Sequence, residues 1–383
     1  MRILKLLLPG RYEDAYIYMG YLFALTENKT LRTLSLERMA KHLEAQFPST
    51  GTLPELMFSR NDWLTSSQFK ALMKNREVAT AFLSILDRFS SDPVELAPSL
   101  LDSPELPLDI SATVFLDMLL YNRRLYLSTE NGLYHIDFDI EPEGPEMTGR
   151  AQRRLDARCL SASAKFGTIA ASCGDDGLFT ILNDFEWLGS QSITKKLAEK
   201  SLRSSWFHYD LMNYSSNASP LLLLSQHERR PSLGVEREKM FISDIGDRQV
   251  DFTRLLENDI QLDDVQYVFN SSNTIFVNTI HGQFFSIGIS TTDQMDPRIR
   301  YSRAYSGTRS RMLSASPTRV GLLVETDDEV LLFAGGEWLV IVDSAVLSVR
   351  TFMRSKRYQN MSALTLEDGI LITSFFDDTS LRV

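Results

Sequence analysis

The stretch RCLSASAKFGTIAASCGDDGLFTILND, from Arg158 to Asp184, decides how the rest of the chain is interpreted. It contains three short runs of strand-forming residues, Cys159–Ala164, Thr168–Cys173 and Leu178–Leu182. The first gap contains Gly167, and the second gap is Gly-Asp-Asp-Gly. Gly and Asp tolerate the positive φ angles that tight hairpin turns need. The stretch is therefore predicted to be a meander of antiparallel strands.

The turn between the two middle strands of this unit recurs along the chain. Turn-like residues are found near seven positions: Asn28, Asn131, Asp176, Gly234, Gly282, Asp328 and Asp378. The spacing is 45 residues from Asn131 to Asp176, and 46 from Gly282 to Asp328. A four-stranded propeller blade takes about 40–50 residues. Around Gly234, the polar stretch Gln226–Lys239 is predicted to be a hairpin with a lengthened loop.

The two ends of the sequence complete the pattern. After Asp378, the residues Thr379–Val383 can form a third strand of the last blade but not a fourth. Arg2–Leu8 is an isolated strand-like run that could supply the missing outer strand and leave no unpaired edge. The predicted fold is therefore all-β, a seven-bladed β-propeller closed by pairing of the N- and C-terminal strands. Six blades and a double β-sandwich remain as alternatives.

An excess of residues between Asn28 and Asn131 has a helical pattern. Apolar residues recur at helical spacing in three successive segments, Leu36–Leu43, Ser66–Met73 and Arg76–Phe89. The predicted organisation is a closing strand and first blade in 1–34, an α-helical insertion in 35–92, and the remaining blades in 93–383. The apolar stripe of the insertion is expected to pack either on the propeller itself or on a partner. A further short helix is predicted over Lys195–Leu202.

The period, the number of units and the terminal closure resemble the seven-bladed β-propellers of the broad WD40-like class. The resemblance covers nearly the whole chain apart from the insertion. The Trp-Asp signature of WD40 repeats is absent, since none of Trp63, Trp187, Trp206 and Trp338 is followed by Asp. The resemblance implies that the links between blades and the middle hairpins share one face, with the links nearer the centre.

The chemical content of the sequence argues against an enzyme. The five histidines are scattered, and none of the phosphate-loop, zinc-protease or esterase motifs is present. Cys159 and Cys173 are predicted to be small buried thiols on adjacent strands, and the Asp pairs to be turn residues rather than calcium ligands. No metal and no cofactor is expected. A cytoplasmic location is the default, with no membrane contact, because no apolar run approaches the ~18 residues of a membrane span.

Basic residues concentrate between successive units, although the chain carries a net charge of −10. The predicted partner-binding set, which we call the basic collar, comprises Arg303, Tyr305, Arg309, Arg311, Arg350, Arg354, Lys356 and Arg357. These side chains could form local ion pairs, or bind an acidic peptide or nucleic acid through Arg forks and Tyr stacking.

The leading functional hypothesis is a non-catalytic scaffold or adaptor subunit that binds protein partners through the propeller face and the helical insertion. Nucleic-acid or acidic-peptide binding at the basic collar is the alternative. A small-molecule hydrolase with its site in the central channel is the third possibility.

Overall fold

The structure is a computed structural model that describes residues 1–90, 92–101, 105–182, 192–216, 219–232, 235–252, 260–271, 273–291, 297–308 and 310–377. Among these residues, thirty β-strands form seven sheets, and three α-helices lie in one segment. In each sheet the strands follow one another largely as antiparallel hairpins. The chain is a seven-bladed β-propeller, as predicted, and the six-bladed and double-sandwich alternatives are wrong.

Six of the sheets take their strands in chain order, and only the first is interrupted, by the helical insertion and β5. The first contains β2 (Tyr12–Tyr18), β3 (Tyr21–Thr26), β4 (Thr30–Ser35) and β6 (Leu106–Pro107). The second contains β7 (Phe115–Tyr121), β8 (Arg124–Thr129), β9 (Gly132–Glu141) and β10 (Gly144–Met147), with β11 (Gln152–Leu155) also paired to β9. The third contains β12 (Ser161–Lys165), β13 (Thr168–Ser172), β14 (Leu178–Leu182) and β15 (Ile193–Ala198). The fourth contains β16 (Arg203–Phe207), β17 (Asp210–Tyr214), β18 (Pro220–Ser232) and β19 (Val235–Asp251). The fifth contains β20 (Val265–Ser271), β21 (Thr274–Thr279), β22 (Gln283–Thr291) and β23 (Pro297–Ser306). The sixth contains β24 (Met312–Pro317), β25 (Leu322–Thr326), β26 (Val330–Ala334) and β27 (Glu337–Val342).

The seventh sheet joins the two ends of the chain. In spatial order it contains β28 (Ser348–Thr351), β29 (Met361–Thr365), β30 (Gly369–Phe376), β1 (Arg2–Pro9) and β5 (Val94–Glu95). β1 runs antiparallel to β30 in unbroken register, from Arg2 opposite Phe376 to Pro9 opposite Gly369. The predicted closure by the terminal strands is confirmed.

The predicted position of the last middle turn is wrong. The turn between β29 and β30 is formed by Glu367 and Asp368, where the Leu366 N–H donates to the Gly369 carbonyl at 2.7 Å. The predicted turn at Asp377-Asp378 comes after the third strand, because the fully buried run Gly369–Phe376 is that strand. Asp378 and Thr379–Val383 lie outside the described residues.

The turn between β13 and β14 requires glycine for a geometric reason. Gly177 has a φ of +109°, in the region that L side chains rarely adopt. A Cβ atom at this position would lie 2.1 Å from the carbonyl oxygen of Ala198, so no other residue fits without moving the backbone. The Gly-Asp-Asp-Gly signal therefore predicts a real geometric constraint.

Two local predictions are wrong, at least in part, for one physical reason. The hairpin predicted around Gln226–Lys239 is present as β18 and β19, but its predicted lengthened loop is replaced by a paired ladder that continues to Ser232 and Val235. This hairpin also joins the third and fourth strands of its sheet, not the two middle strands as predicted. Lys195–Leu202 is predicted to be helical, but Ile193–Ala198 forms the edge strand β15, paired with β14. In both segments, pairing with a neighbouring strand overrides a charged sequence of low strand propensity.

The chain consists of two compact units. One contains Met1–Leu108, Asp139–Met147 and Leu313–Val383, and the other contains Asp109–Phe138 and Thr148–Met312. The second unit has its own apolar clusters, for example Tyr214, Phe252, Val268, Val277 and Ile287. The insertion and the seventh sheet, which we call the closing sheet, both belong to the first unit.

The helical insertion lies between β4 and β6 and contains α1 (Leu36–Gln46), α2 (Ser67–Met73) and α3 (Arg76–Phe89). The Ser35 side chain caps α1 by accepting from the Arg38 N–H at 3.3 Å. The apolar stripes of the helices share one buried cluster with Leu4, Leu6 and Leu8 of β1. The insertion therefore packs on its own propeller, the first of the two predicted alternatives. No helix in the described ranges is both long and apolar enough to cross a membrane.

Candidate binding groove beside the helical insertion

The two cysteines are free and buried, as predicted. Cys159 lies two residues before β12, and Cys173 directly follows β13. A hydrogen bond with Cys173, together with burial, raises the pKa of the Cys159 thiol well above its ordinary value. A thiol with a raised pKa carries little thiolate, which is the nucleophilic and metal-binding form. Within the described part of the chain, no three His, Cys, Asp or Glu side chains are grouped so that they could hold a metal ion.

The first half of the basic collar lies on and after the last strand of the fifth sheet. Arg303 and Tyr305 belong to β23, so their predicted place in a link between blades is wrong. They are misplaced because β23 runs as far as Ser306, paired with β22 throughout. Arg311 is exposed in the link before β24. Arg309 lies outside the described residues.

The second half of the basic collar lies within one blade rather than between two blades. Arg350 is on β28, the first strand of its sheet, and the connection from β28 to β29 contains Arg354, Lys356 and Arg357. The predicted position between blades is therefore wrong, because β28 and β29 are neighbours in one sheet. The last three side chains are exposed. The two halves of the collar belong to different compact units.

Arg350 has a structural partner that the sequence does not reveal. Its Nε donates to Asp14 Oδ1 at 3.1 Å, and its Nη2 pairs with Asp14 Oδ2. The Ser348 hydroxyl donates to the same carboxylate at 2.7 Å. Asp14 is on β2 and is only 6% exposed, so the forked pair joins the first strands of the first and last blades. This arginine stabilises the closure.

The connection after β28 is held by aromatic anchors. Phe352 and Tyr358 are buried in the cluster that also contains Leu4 and Leu6. Burial raises the pKa of the Tyr358 hydroxyl. Tyr358 is therefore a core residue whose ring is not available to stack on a ligand.

A large groove opens where the insertion meets the closing sheet. Its volume is about 1180 Å³, and all of its lining belongs to the first compact unit. The floor is apolar and includes Phe69, Met73, Leu83, Val320 and Phe376. No sequence pattern indicates this groove, because its walls come from the insertion and from strands near the other end of the chain.

Three rings fix the insertion against β30 and so shape the groove. Phe69 of α2, Phe82 of α3 and Phe376 of β30 pack edge to face. The ring centroids are 5.3 Å apart for Phe69 and Phe82, 5.4 Å for Phe82 and Phe376, and 6.2 Å for Phe69 and Phe376. Edge-to-face pairs contribute about 0.5–1.5 kcal/mol each beyond their buried area. The floor is therefore rigid, with both helices and the strand contributing to it.

The rim of the groove is basic. Its described lining carries four basic side chains, all exposed: Lys70, Lys74, Arg76 and Arg319. No ion pair among the described residues involves any of these four. Asp377 is the one acidic residue in the described lining.

Helix capping places three of these cations. The Ser66 hydroxyl accepts from the Phe69 N–H at 3.0 Å and starts α2, which turns Phe69 inward and leaves Lys70 exposed. The Asn75 side chain accepts from the Glu77 and Val78 N–H groups and starts α3. Lys74 and Arg76 flank this capped junction.

Arg319 and Asn360 form the opposite wall. The Arg319 N–H donates to the Gln359 carbonyl at 3.0 Å, which ties the turn after β24 to the connection before β29. Asn360 is 5% exposed and lines the groove, and its Oδ1 has no hydrogen-bond partner among the described residues. A buried polar atom without a partner costs about 1–3 kcal/mol.

Comparison with known proteins bears on the fold. No protein-family profile matches the chain, and no curated protein is significantly similar to it. Among solved structures, the WD40 β-propeller domain of Doa1 is 11% identical, with a TM-score of 0.50, over 99% of this chain and 98% of that domain. The fold is that of the WD40-like β-propellers. The β-propeller domain of Cps50 (Swd1) from Myceliophteria thermophila is 10% identical, with a TM-score of 0.51, over 96% of this propeller and 97% of that chain. At this level of identity the likeness concerns the fold alone.

Proposed function

We propose that this propeller is a non-catalytic scaffold or adaptor subunit that binds a segment of a partner protein in the groove beside its helical insertion. The observation that carries the proposal is the groove itself, with a rigid apolar floor and four exposed basic side chains. Protein interfaces combine an apolar centre with a polar rim, which is the arrangement of this lining.

The size of the groove favours a peptide over a small molecule. Sites for small molecules and cofactors have volumes of about 300–1,000 Å³ and enclose their ligand. The groove, at about 1180 Å³, exceeds that range. Among the described residues, its titratable lining consists of four cations and Asp377, without the neighbouring acid and base that hydrolysis needs. These features support binding rather than catalysis.

The exposed part of the basic collar belongs to the same proposal. Arg354, Lys356 and Arg357 precede Asn360 in the connection that forms one wall of the groove. We propose that they extend its basic surface, whereas Arg350 stabilises the closure. Binding of an acidic peptide or nucleic acid near Arg303, Tyr305, Arg309 and Arg311 stays a separate prediction.

A pair of matched variants tests the proposal. Ala79 lines the groove on α3, and Ala81 is exposed on the same helix outside the described lining. Ala79→Trp should fill the groove and remove the partner from complexes purified from the native host, whereas Ala81→Trp should retain it. Circular dichroism would check that both variants fold. Full retention of the wild-type partners by Ala79→Trp would contradict the proposal. So would a wild-type protein that is strictly monomeric and has no co-purifying protein when isolated from the native host. Cell fractionation would test the cytoplasmic location, which belongs to the same proposal.

A further inference from the structure

We propose that the groove binds an extended peptide segment in which carboxylate side chains alternate with apolar ones. This inference rests on the proposed function, because it specifies the partner segment that the groove would take.

The charge of the rim selects an acidic segment. In the described lining, Lys70, Lys74, Arg76 and Arg319 face a single carboxylate, that of Asp377, in a protein whose net charge is −10. Arg76 occupies the first turn of α3, where the helix dipole disfavours a cation. A carboxylate of the bound segment would pair with each guanidinium through two parallel hydrogen bonds. The rim therefore favours negative charge in the occupant.

The floor selects apolar side chains between those carboxylates. Met73 and Phe376 are buried at the floor, while Ala79, Leu83 and Val320 are partly exposed there. Successive side chains of an extended peptide point to opposite sides. A segment that alternates apolar and acidic residues would place the first set on the floor and the second set toward the basic rim.

Asn360 selects an extended backbone over a helical one. Its Oδ1 is an acceptor without a donor in the described structure, at a side chain that is 5% exposed and lines the groove. Main-chain N–H groups inside a helix already donate to carbonyls of the same helix. An extended segment keeps N–H groups free, and one of them would pair with this oxygen once the Asn360 amide rotates toward the groove, because the oxygen atom itself is covered in the free protein.

The aromatic residues of the groove do not favour a nucleic-acid strand. Single strands are held by stacking of bases on exposed aromatic faces. Phe69, Phe375 and Phe376, the aromatic side chains in the described lining, are 4%, 0% and 5% exposed. Their faces are occupied within the core, so a strand would find phosphate contacts but no stacking platform.

The test uses random 12-residue peptides displayed on phage and selected against the wild-type chain. Enriched peptides are then synthesised, and their affinities are measured by fluorescence anisotropy. We expect enriched sequences to alternate acidic and apolar residues, and binding to weaken with salt. The double variant Lys70→Glu/Lys74→Glu should bind at least tenfold more weakly. The control Lys41→Glu/Lys200→Glu changes two exposed lysines outside the described lining and should stay within twofold of wild type.

A second variant separates a binding role for Asn360 from a structural one. Asn360→Leu keeps the branched shape of the side chain, enlarges it moderately and removes the unpartnered oxygen. Because the site opens onto the groove, unfolding stability should be unchanged or higher. Peptide affinity should nevertheless fall about fivefold. A loss of stability with unchanged affinity would overturn the assigned role.

Other outcomes would overturn the inference as a whole. The inference is wrong if the enriched peptides carry no net negative charge. It is also wrong if Lys70→Glu/Lys74→Glu binds them as tightly as the wild-type chain does. A twelve-nucleotide single-stranded DNA that binds more tightly than every peptide, and is lost in the same variant, would assign the groove to nucleic acid instead. If Ala79→Trp removes the native partner while Lys70→Glu/Lys74→Glu keeps it, the proposed function stands and the acidic segment is wrong.

Discussion

Replacing Leu6 by Ala tests the role of β1 in holding the propeller together. Leu6 is fully buried opposite Ile372 of β30, and its side chain belongs to the cluster that β1 shares with the insertion. Leu-to-Ala changes in cores cost about 2–5 kcal/mol, depending on how far the cavity can collapse. Here the site lies between a paired strand and packed helices, so little collapse is possible. We expect a loss of about 3–5 kcal/mol in the free energy of unfolding.

Leu7 supplies a matched control on the same strand. Its side chain is partly buried on the opposite face of β1. Leu7→Ala should therefore cost less, about 1–2 kcal/mol, since burying one leucine contributes about 1.5–3 kcal/mol in full. Urea unfolding followed by tryptophan fluorescence would measure both variants. Because the chain forms two compact units, the transition of the unit that contains β1 is the one expected to shift.

Equal losses for the two variants would refute this reasoning. A deletion of Met1–Leu8 gives a harsher version of the same test, because it removes a whole strand and exposes the edge of β30. The deleted protein should aggregate or melt at a clearly lower temperature. Unchanged melting after the deletion would mean that the terminal pairing contributes nothing to stability.

Three further perturbations probe the buried charges and the insertion. Arg350→Met leaves the buried Asp14 carboxylate without its cation and should lower the free energy of unfolding in urea by about 3–5 kcal/mol. Adding Asp14→Asn should recover part of this loss. A cost below about 1 kcal/mol would show that Arg350 does not stabilise the contact between the first and last blades. Desolvation raises the pKa of Glu325 above its ordinary value of 4.5. The native state therefore holds this proton more tightly than the unfolded state does. The free energy of unfolding should fall as pH rises from 4.5 to the raised pKa of the native state. Glu325→Gln should remove that part of the pH dependence when urea unfolding is measured across this range, and an unchanged slope would show that this carboxyl is not its source. Replacing residues 35–92 by a short Gly-Ser linker should expose the apolar cluster that the insertion shares with β1, and the protein should aggregate when followed by light scattering. A stable monomer would show that the helices contribute little to this core.

The blade pattern could be predicted because its signal is local. The turns at Asn131, Asp176, Gly282 and Asp328 each join the second and third strands of a sheet, as expected from residues that tolerate tight turns. Closure was predictable too, since a strand-like run at one end matches a missing strand at the other. The turn predicted at Asp377-Asp378 is wrong, because this acidic pair follows the third strand of its sheet instead of joining the second and third strands.

The groove beside the insertion and the ion pair of Arg350 with Asp14 could not be predicted, because both depend on residues that are distant along the chain. Asp14 lies 336 positions from Arg350, and no spacing rule relates them. Lys70 and Arg319 meet only after the insertion has folded onto the closing sheet. The residues of the predicted basic collar are close together along the chain, in two stretches. Among the basic residues that line the groove, Arg319 is far along the chain from the others and close to them only in the folded structure.

The pairing of β1 with β30 has a consequence for how the protein is made. Ribosomes add about 5–20 residues per second, so the 360 residues from Gly10 to Gly369 take roughly 20–70 seconds to synthesise. For that whole interval β1 lacks its long antiparallel partner, and β5, with which it also pairs, covers only Val94–Glu95. The last blade therefore cannot form before β30 has been synthesised. We expect the emergence of β30, rather than that of any earlier blade, to set the moment at which the propeller becomes resistant to proteases and independent of chaperones.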